Sequence, residues 1–427
     1  MEHLLYISEQ HEKKPIENLS SFLQSVLVEK SYQKPFYYNA EMLCFQLHNK
    51  NQVFTVDTNY FVGVDWLIPG EAAVYVEPKL NNEEQVNYLG MLLQSLEAPE
   101  NLEHLEGLFH VDYDSPWITI PDQKDRLSPL LIVQFLKLVQ RIVRKGLKKS
   151  YYRITENLDS RIKGKILVGQ QIKENIVKNR LTKTICNYQE YGFNTTENQF
   201  LKLVLEFVSS YINQKNRFFN KDQNLQLQHI LSYCLPSFEH VDSLRQKHER
   251  IHVKKNVFYK EYEEAVKIGG YILKRFSFNI NKTSASNTTT PPFWIDMSKL
   301  FELYVYSKLV KIFPEPESVT YHDRFMGGKE TDILLRKDGY NCVIDCKYKP
   351  QYENSNPSLA DKRQLAGYVR LKTVYKKLDT PFDKLIKGLI IYSHQDCDAQ
   401  IKKEKLFENE IGEYVEFYKL GISLPHI

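Results

Sequence analysis

The spacing of apolar residues divides this chain into regions of different structural type. Through residues 1–120, short runs of β-branched and aromatic residues alternate with turn residues, a pattern typical of β-strands. These runs predict strands over 52–56, 60–64 and 72–76. Between Ile16 and Lys30 the apolar residues recur every three or four positions, which predicts one helix near the start.

After residue 125 the apolar spacing changes to that of helices. Ser128 followed by Pro129 has the form of a helix N-terminus and predicts a helix that continues to Leu147. The same spacing predicts further helices over 197–212 and 224–234. Basic segments occur at 159–166 and 245–255. We expect the first to be a strand or loop, and the second to be a solvated surface rather than a DNA groove.

A polar segment precedes the last region of the chain. Residues 279–292 are rich in Asn, Ser and Thr and end in two prolines, which predicts a linker. Asp296 can cap a helix from Met297 to Phe313, whose apolar residues share one face. The pattern then predicts strands over 331–335 and 341–346, a helix over 361–378 and a strand over 388–392.

These elements predict a multidomain α/β (α+β) protein. A chain of 427 residues is long enough for two or three domains, each with its own core. The predicted parts are a β-rich N-terminal domain (1–125), a mainly helical middle region (126–278), a linker (279–292) and a mixed sheet flanked by helices (293–427).

Composition excludes several classes of function. The net charge of +4 is too small for a polycation, so binding to nucleic acid requires a local basic groove or a partner. The six cysteines have no CxxC spacing, which argues against a zinc site or a disulfide framework. No signal-peptide core or long apolar stretch is present, so we expect a soluble, cytoplasmic protein without a membrane partner.

One pair of predicted strands carries candidate chemistry. Asp332 heads the first strand, and Asp345-Cys346-Lys347 ends the second, with the two acids thirteen positions apart. A hairpin of this length can bring both acids to the same end of a sheet. Two carboxylates there could hold Mg²⁺, and the lysine could position or deprotonate a water. That is the chemistry of phosphodiester hydrolysis.

The order helix, strand, strand with Asp-x-Lys, helix, strand resembles the PD-(D/E)xK nuclease core. Asp332 stands at the first metal-binding acid of that family, although Thr331 replaces its common proline. The resemblance implies a restriction-endonuclease-like fold and Mg²⁺ held by Asp332, Asp345 and Glu302, where Glu302 is the accessory acid of the preceding helix. It also places Gln364 and Tyr368 at the Gln-x-x-x-Tyr motif of the RecB-like branch. The implied catalytic residues are Asp332, Asp345, Lys347, Glu302, Gln364 and Tyr368.

An acid-x-Lys triplet alone is weak evidence, and the chain contains others. Asp65 followed by Glu77-Pro78-Lys79 has similar spacing, but Pro78 removes a backbone donor where the strand of an active site should stay paired. We therefore expect that segment to be structural. For the later hairpin the competing interpretation is a solvated surface, with Glu302, Gln364 and Tyr368 as ordinary helix residues.

Similarity to a second family extends along nearly the whole chain, through the segments 63–80, 161–166, 194–198 and 296–302. In these segments the chain resembles the McrC family. The resemblance implies a nuclease subunit of a modification-dependent restriction system. Its implied partners are an McrB-like AAA+ GTPase hexamer and double-stranded, methylated DNA, with residues 1–125 docking onto the GTPase and stimulating it. This chain lacks a GxxxxGK[ST] loop, so we expect GTP to be bound by the partner alone.

Two other functions stay open from the sequence. The long portion before the nuclease-like region allows an accessory subunit that activates the GTPase and holds DNA without cutting it. The RecB-like motif allows a repair nuclease that acts without a partner.

Overall fold

The computed structural model describes most, but not all, of the chain. The described residues are 3–9, 14–16, 32–37, 39–50, 53–78, 80–81, 84–95, 104, 107–112, 114–121, 127–214, 221–244, 260–280, 287–325, 329–349, 352, 355–394 and 400–425. The predicted helix Ile16–Lys30, apart from its first residue, and the basic cluster 245–255 lie outside them. Within these ranges, no helix has the length and apolar character needed to cross a membrane.

The chain contains both strands and helices, in agreement with the predicted α+β class. The strands are β1 (His3–Ser8), β2 (Lys14–Pro15), β3 (Tyr32–Phe36), β4 (Asn39–Lys50), β5 (Val53–Asp57), β6 (Phe61–Ile68), β7 (Ala72–Glu77), β8 (Leu80–Asn81), β9 (Glu84–Gln85), β10 (Phe109–Val111), β11 (Ile118–Pro121), β12 (Ser150–Asp159), β13 (Lys165–Ile166), β14 (Lys183–Gly192), β15 (Asn287–Thr290), β16 (Phe293–Asp296), β17 (Val319–Phe325), β18 (Lys329–Leu335), β19 (Cys342–Lys347), β20 (Lys387–His394) and β21 (Phe417–Ser423). The helices are α1 (Tyr88–Ser95), α2 (Leu127–Lys145), α3 (Val168–Gln171), α4 (Thr196–Gln214), α5 (Lys221–Cys234), α6 (Lys260–Ile280), α7 (Met297–Ile312), α8 (Leu359–Val369) and α9 (Lys372–Lys377).

The chain divides into two compact units. The first joins Met1–Leu127 with Ala285–Ile427, and the second is Ser128–Ser284. The N-terminal and nuclease-like regions, which the sequence analysis separates, therefore belong to one unit. They share a sheet, because β16 pairs antiparallel with β6 and with β10. Part of the predicted linker 279–292 is a strand, because β15 pairs with β11. The threonines of β15 are β-branched and favour extended backbone.

In the first unit, the N-terminal part contains the predicted strands. The predicted segments 52–56, 60–64 and 72–76 correspond to β5, β6 and β7, which confirms them. One sheet has the strand order β1-β7-β6-β16-β10, and a second has the order β2-β5-β4-β3. Asp65 on β6 forms an ion pair with Lys34 at 3.2 Å and accepts a hydrogen bond from Trp294 Nε1 at 3.1 Å. These contacts support the structural interpretation of that acid.

The nuclease-like part of the first unit is a mixed sheet with strand order β17-β18-β19-β20-β21. The pairs β17–β18 and β18–β19 are antiparallel, whereas β19–β20 and β20–β21 are parallel. Helix α7 begins as predicted, because the Asp296 side chain accepts from Lys299 N at 3.1 Å. The predicted helix over 361–378 is two helices, α8 and α9, since α8 ends at Val369 and α9 begins at Lys372. Both follow β19 and lead into β20.

The second unit contains helices and a three-stranded antiparallel sheet of strand order β12-β14-β13. Helices α4 and α5 confirm the predictions over 197–212 and 224–234, and α2 begins at Leu127, before the predicted cap at Ser128. Strands β12 and β14 pair over ten residues each, in a region predicted to be mainly helical. Most side chains of β12 are exposed or half-buried, so the strand lacks the apolar alternation that would have predicted it.

Candidate active site

The two candidate acids lie side by side on neighbouring strands. Strands β18 and β19 are paired from Leu335, opposite Cys342, to Ile333, opposite Ile344. Asp332 and Asp345 are the next residues of the two strands. Side chains alternate along a strand, so Asp345 and Lys347 share the sheet face of Val343. That face packs against α8, because Val343 belongs to the same buried cluster as Leu365.

Hydrogen bonds hold this arrangement. The backbone N–H of Cys346 donates to Asp332 Oδ2 at 2.7 Å, so a carboxylate takes the place of a strand carbonyl where the ladder ends. The ammonium of Lys347 donates to Asp345 Oδ1 at 3.1 Å and to Gln364 Oε1 at 3.1 Å. The structure therefore joins both halves of the Asp-x-Lys motif to helix α8. The Cys346 side chain is buried, and only its backbone takes part in this arrangement.

Helix α8 presents the Gln-x-x-x-Tyr motif to this cluster. The helix begins at Ser358, whose hydroxyl accepts from Asp361 N at 3.2 Å. Residues four apart share one face of a helix, and Gln364 Nε2 accordingly donates to Tyr368 OH at 3.2 Å. Leu365 packs into the core while Gln364 is exposed. The chain of contacts from Asp345 through Lys347 and Gln364 to Tyr368 thus reaches the protein surface.

Burial gives the acid pair unusual electrostatics. Desolvation, and then the negative charge of Asp332, raise the pKa of Asp345 to about 7. Desolvation together with the charge of Glu302 raises the pKa of Asp332 as well. Burial alone would lower the pKa of Lys347, but the nearby carboxylates of Asp345 and Asp332 outweigh it and raise that pKa. The site therefore concentrates negative charge that one ammonium group only partly balances.

The donor set at the acid pair fits a divalent cation. Asp345 is fully buried, and Lys347 Nζ lies 3.1 Å from its Oδ1 and 2.9 Å from its Oδ2. One ammonium group does not offset the cost of burying two neighbouring carboxylates. Magnesium prefers oxygen ligands and binds through one or two carboxylates, with water and phosphate completing its shell. Asp332 and Asp345 provide such a pair.

The Glu302 carboxylate makes its hydrogen bonds to residues of β17. Its Oε2 accepts from Tyr321 OH at 3.3 Å and lies 2.9 Å from His322 Nε2. In the portion of the chain that the structure covers, no three His, Cys, Asp or Glu side chains form a group that could hold a metal ion. Tyr321 and His322 hold the Glu302 carboxylate, so the structure does not place it as a third member of the acid pair. Glu302 still influences the site through its charge, which contributes to the raised pKa of Asp332.

Sequence reasoning missed two residues at this site. The Asp361 carboxylate lies 2.8 Å from Lys349 Nζ and 3.9 Å from Lys347 Nζ. Asp361 follows Ser358 in a Ser-x-x-Asp pattern, which is typical of a helix N-terminus and could have identified Asp361 from the sequence. His322 had no such signal, because its contact with Glu302 depends on the fold of β17.

Comparison with known proteins identifies the family. The protein-family model described as "McrBC 5-methylcytosine restriction system component" matches residues 57–378 of this chain. The chain belongs to this family. The matched range contains Glu302, the Asp332–Asp345 pair, Lys347, Gln364 and Tyr368, so this McrBC family member carries its whole candidate site within the family's common region.

Two solved structures are similar to this McrBC family member at low identity. One is described as a refined half-complex from a tetradecameric assembly of Thermococcus gammatolerans McrB AAA+ hexamers with bound McrC. It is 14% identical, has a TM-score of 0.39, and the match covers 98% of this chain and 94% of that chain. The other, a cryo-EM structure of the Thermococcus gammatolerans McrBC complex, is 14% identical with a TM-score of 0.30, covering 73% of this chain and 88% of that chain. Such TM-scores are too low to establish a shared fold. No curated protein matches the sequence.

Proposed function

We propose that this chain is the Mg²⁺-dependent DNA endonuclease subunit of a GTP-driven, modified-cytosine-dependent restriction complex. The observation that carries the proposal is the buried carboxylate of Asp345, which lies next to Asp332 and within 2.9 Å of the Lys347 ammonium. Two buried acids of raised pKa destabilise a fold at neutral pH. Their arrangement on adjacent strands is explained by the binding of a divalent cation.

The residues of the site take distinct roles in this proposal. Asp332 and Asp345 would hold Mg²⁺, which would supply Lewis-acid activation and neutralise charge on a phosphodiester. In the metal-free site the carboxylates of Asp345 and Asp332 raise the pKa of Lys347, which favours the charged ammonium and a role in orienting a water or the scissile phosphate. Gln364 fixes the lysine at 3.1 Å. With Tyr368 it also forms the exposed edge at which DNA would lie.

The proposed partner is a GTPase that delivers the DNA. The net charge of +4 and the absence of a phosphate-binding loop in the sequence indicate that DNA affinity and GTP binding come from another protein. The two similar structures are described as complexes of McrB AAA+ hexamers and McrC. We therefore propose an McrB-like AAA+ hexamer as the partner and double-stranded DNA with modified cytosine as the substrate.

Exposed apolar side chains suggest where this partner docks. Docking through residues 1–125, which the resemblance to the McrC family implies, stays a prediction. In the second unit, large apolar side chains are exposed within residues 162–181: Ile162, Val168, Ile172, Ile176, Val177 and Leu181. Clusters of this kind mark protein interaction sites. We propose that this segment contacts the GTPase. Replacing Val177 and Leu181 by Ser should abolish co-elution with the GTPase, whereas Phe382→Ser, at another exposed site, should not.

Cleavage of modified DNA tests the site. Wild-type protein, Asp345→Asn and the control Asp383→Asn, an exposed acid, are incubated with partner, GTP and Mg²⁺. We expect Asp345→Asn to lose cleavage while it still stimulates GTP hydrolysis, and Asp383→Asn to behave as wild type. Wild-type cutting by Asp345→Asn would show that the assigned site is wrong.

The same assay separates the other two functions. An accessory subunit without nuclease activity would bind no Mg²⁺ or Mn²⁺ through Asp332 and Asp345, and wild-type protein would not cut. A repair nuclease of the RecB-like kind would cut DNA with Mg²⁺ when the GTPase and GTP are left out.

A further inference from the structure

His322 has an unusual backbone conformation for a residue within a strand. Its φ is +51°, in the left-handed region that costs a residue with a side chain about 1–2 kcal/mol. The residues on either side keep their pairing with β18, as Tyr321 pairs with Ile333 and Asp323 with Thr331. The distortion is therefore confined to His322, the position opposite Asp332. Local strain of this kind is retained where the surrounding structure or a functional site requires it.

The left-handed backbone changes the direction of the His322 side chain. Neighbouring residues in a regular strand point to opposite faces of the sheet. Here the His322 ring instead stacks on the Tyr321 ring, with centroids 4.0 Å apart and an interplanar angle of 17°. Tyr321 packs toward helix α7, where its ring centroid is 5.4 Å from that of Tyr306. Both Tyr321 and His322 consequently reach Glu302 on the same helix.

The imidazole connects two acids on different elements. Its Nε2 lies 2.9 Å from Glu302 Oε2 on α7, and its Nδ1 lies 3.2 Å from Glu330 Oε1 on β18. Strand β18 also carries Asp332, whose pKa responds to the charges of both Glu302 and His322. The ring therefore fixes Glu302 relative to the strand that holds the first candidate metal ligand.

We infer that His322 is a positioning residue: it holds the Glu302 carboxylate where the negative charge of Glu302 acts on Asp332, and it thereby strengthens the binding of a divalent cation at the Asp332–Asp345 pair. The inference rests on the proposed nuclease function. Groups that orient or surround metal ligands commonly change metal affinity about 10–100-fold when they are replaced. A purely structural contact would change the stability of the fold without this effect on affinity.

Two replacements of His322 separate these explanations. In His322→Asn the residue accepts a left-handed backbone readily, but its amide is too short to replace Nε2 and reach Glu302. In His322→Gln the amide nitrogen can take the place of Nε2. His240→Asn, at an exposed histidine, is the matched control. Mn²⁺ affinity is measured by calorimetry on the full chain, and thermal unfolding is measured in parallel.

We expect His322→Asn to weaken Mn²⁺ binding about tenfold, and His322→Gln and His240→Asn to stay within about twofold of wild type. Glu302→Gln should weaken binding by a similar factor, and combining it with His322→Asn should add little, because both changes remove one interaction. Unchanged Mn²⁺ affinity in His322→Asn, with Asp345-dependent binding intact, would overturn the inference alone. Absence of Asp345-dependent Mn²⁺ binding in wild type would overturn the proposed nuclease function and this inference together.

Discussion

Replacing Asp345 by Asn should change how stability depends on pH. In the metal-free fold, desolvation and then the charge of Asp332 raise the Asp345 pKa from 3.8 to about 7. A raised folded-state pKa means that the folded protein holds a proton which the unfolded chain releases. The associated stability is fully present below about pH 4 and is lost as the pH rises to about 7. Asn carries no titrating group, so this loss should disappear in the variant.

The magnitude follows from the linkage relation. Integrating between pH 5 and pH 7.5 with these two pKa values gives a relative destabilisation of wild type by about 2.5 kcal/mol. The pKa values of Asp332 and Lys347 also change when Asp345 is ionised or replaced, and this offsets part of the effect. The free-energy difference above is therefore an upper bound. For a unit of this size it corresponds to roughly 5 °C in melting temperature.

The assay compares melting temperatures of wild type and Asp345→Asn in EDTA across that pH range. Asp361→Asn serves as the control. Burial opposes ionisation of Asp361, but hydrogen bonds from Lys349 and Tyr352 outweigh it and lower its pKa. Its linked stability is therefore present above its unfolded pKa and is lost only as the pH falls below about 4. If the difference in melting temperature between wild type and Asp345→Asn stays constant from pH 5 to pH 7.5, the reasoning is refuted.

Three further predictions concern the metal, the lysine and the core. Mg²⁺ should raise the melting temperature of wild type more at pH 7.5 than at pH 5, because protons compete for the ligands; equal shifts would contradict this. Lys347→Gln should reduce cleavage roughly 10²–10³-fold, the usual cost of removing one charge-stabilising donor, while calorimetry still detects metal binding. Gly388→Ala would place a methyl group 2.9 Å from Leu365 Cδ2 and should cost about 1–3 kcal/mol in denaturant unfolding. Leu365→Ala alone should cost about 2–5 kcal/mol. In the double variant it should relieve the clash, so strictly additive losses of unfolding free energy would contradict the prediction.

The candidate site was accessible to sequence reasoning because its main parts are local. The spacing of Asp332 and Asp345 places them at the end of one hairpin, and strand alternation puts Asp345 and Lys347 on one face. The four-residue spacing of Gln364 and Tyr368 gives a shared helix face. Each of these relations depends on the geometry of a single element or of two consecutive strands.

The relations that the sequence did not predict are long-range. Strand β16 lies in a region assigned to the nuclease-like domain, yet it pairs with β6 more than two hundred residues earlier. Most side chains of the paired strands β12 and β14 are exposed or half-buried, so the apolar pattern of these strands is weak. The pairing of distant strands depends on which surfaces meet in the folded chain, and a local pattern carries little of that information.

The sequence by itself determined the family-like order of elements, the cap at Asp296 and the pairing of two acids with a lysine. Only the tertiary structure decided the electrostatics of that pairing. Burial raises the pKa of both acids, because the fold removes water from Asp345 and brings the charge of Glu302 close to Asp332. The fold also decided that Glu302 is held by His322, since that contact requires a left-handed residue within a strand. Residue types and spacing decide which charged groups the site contains. Packing decides the free energy of ionising those groups in the folded protein.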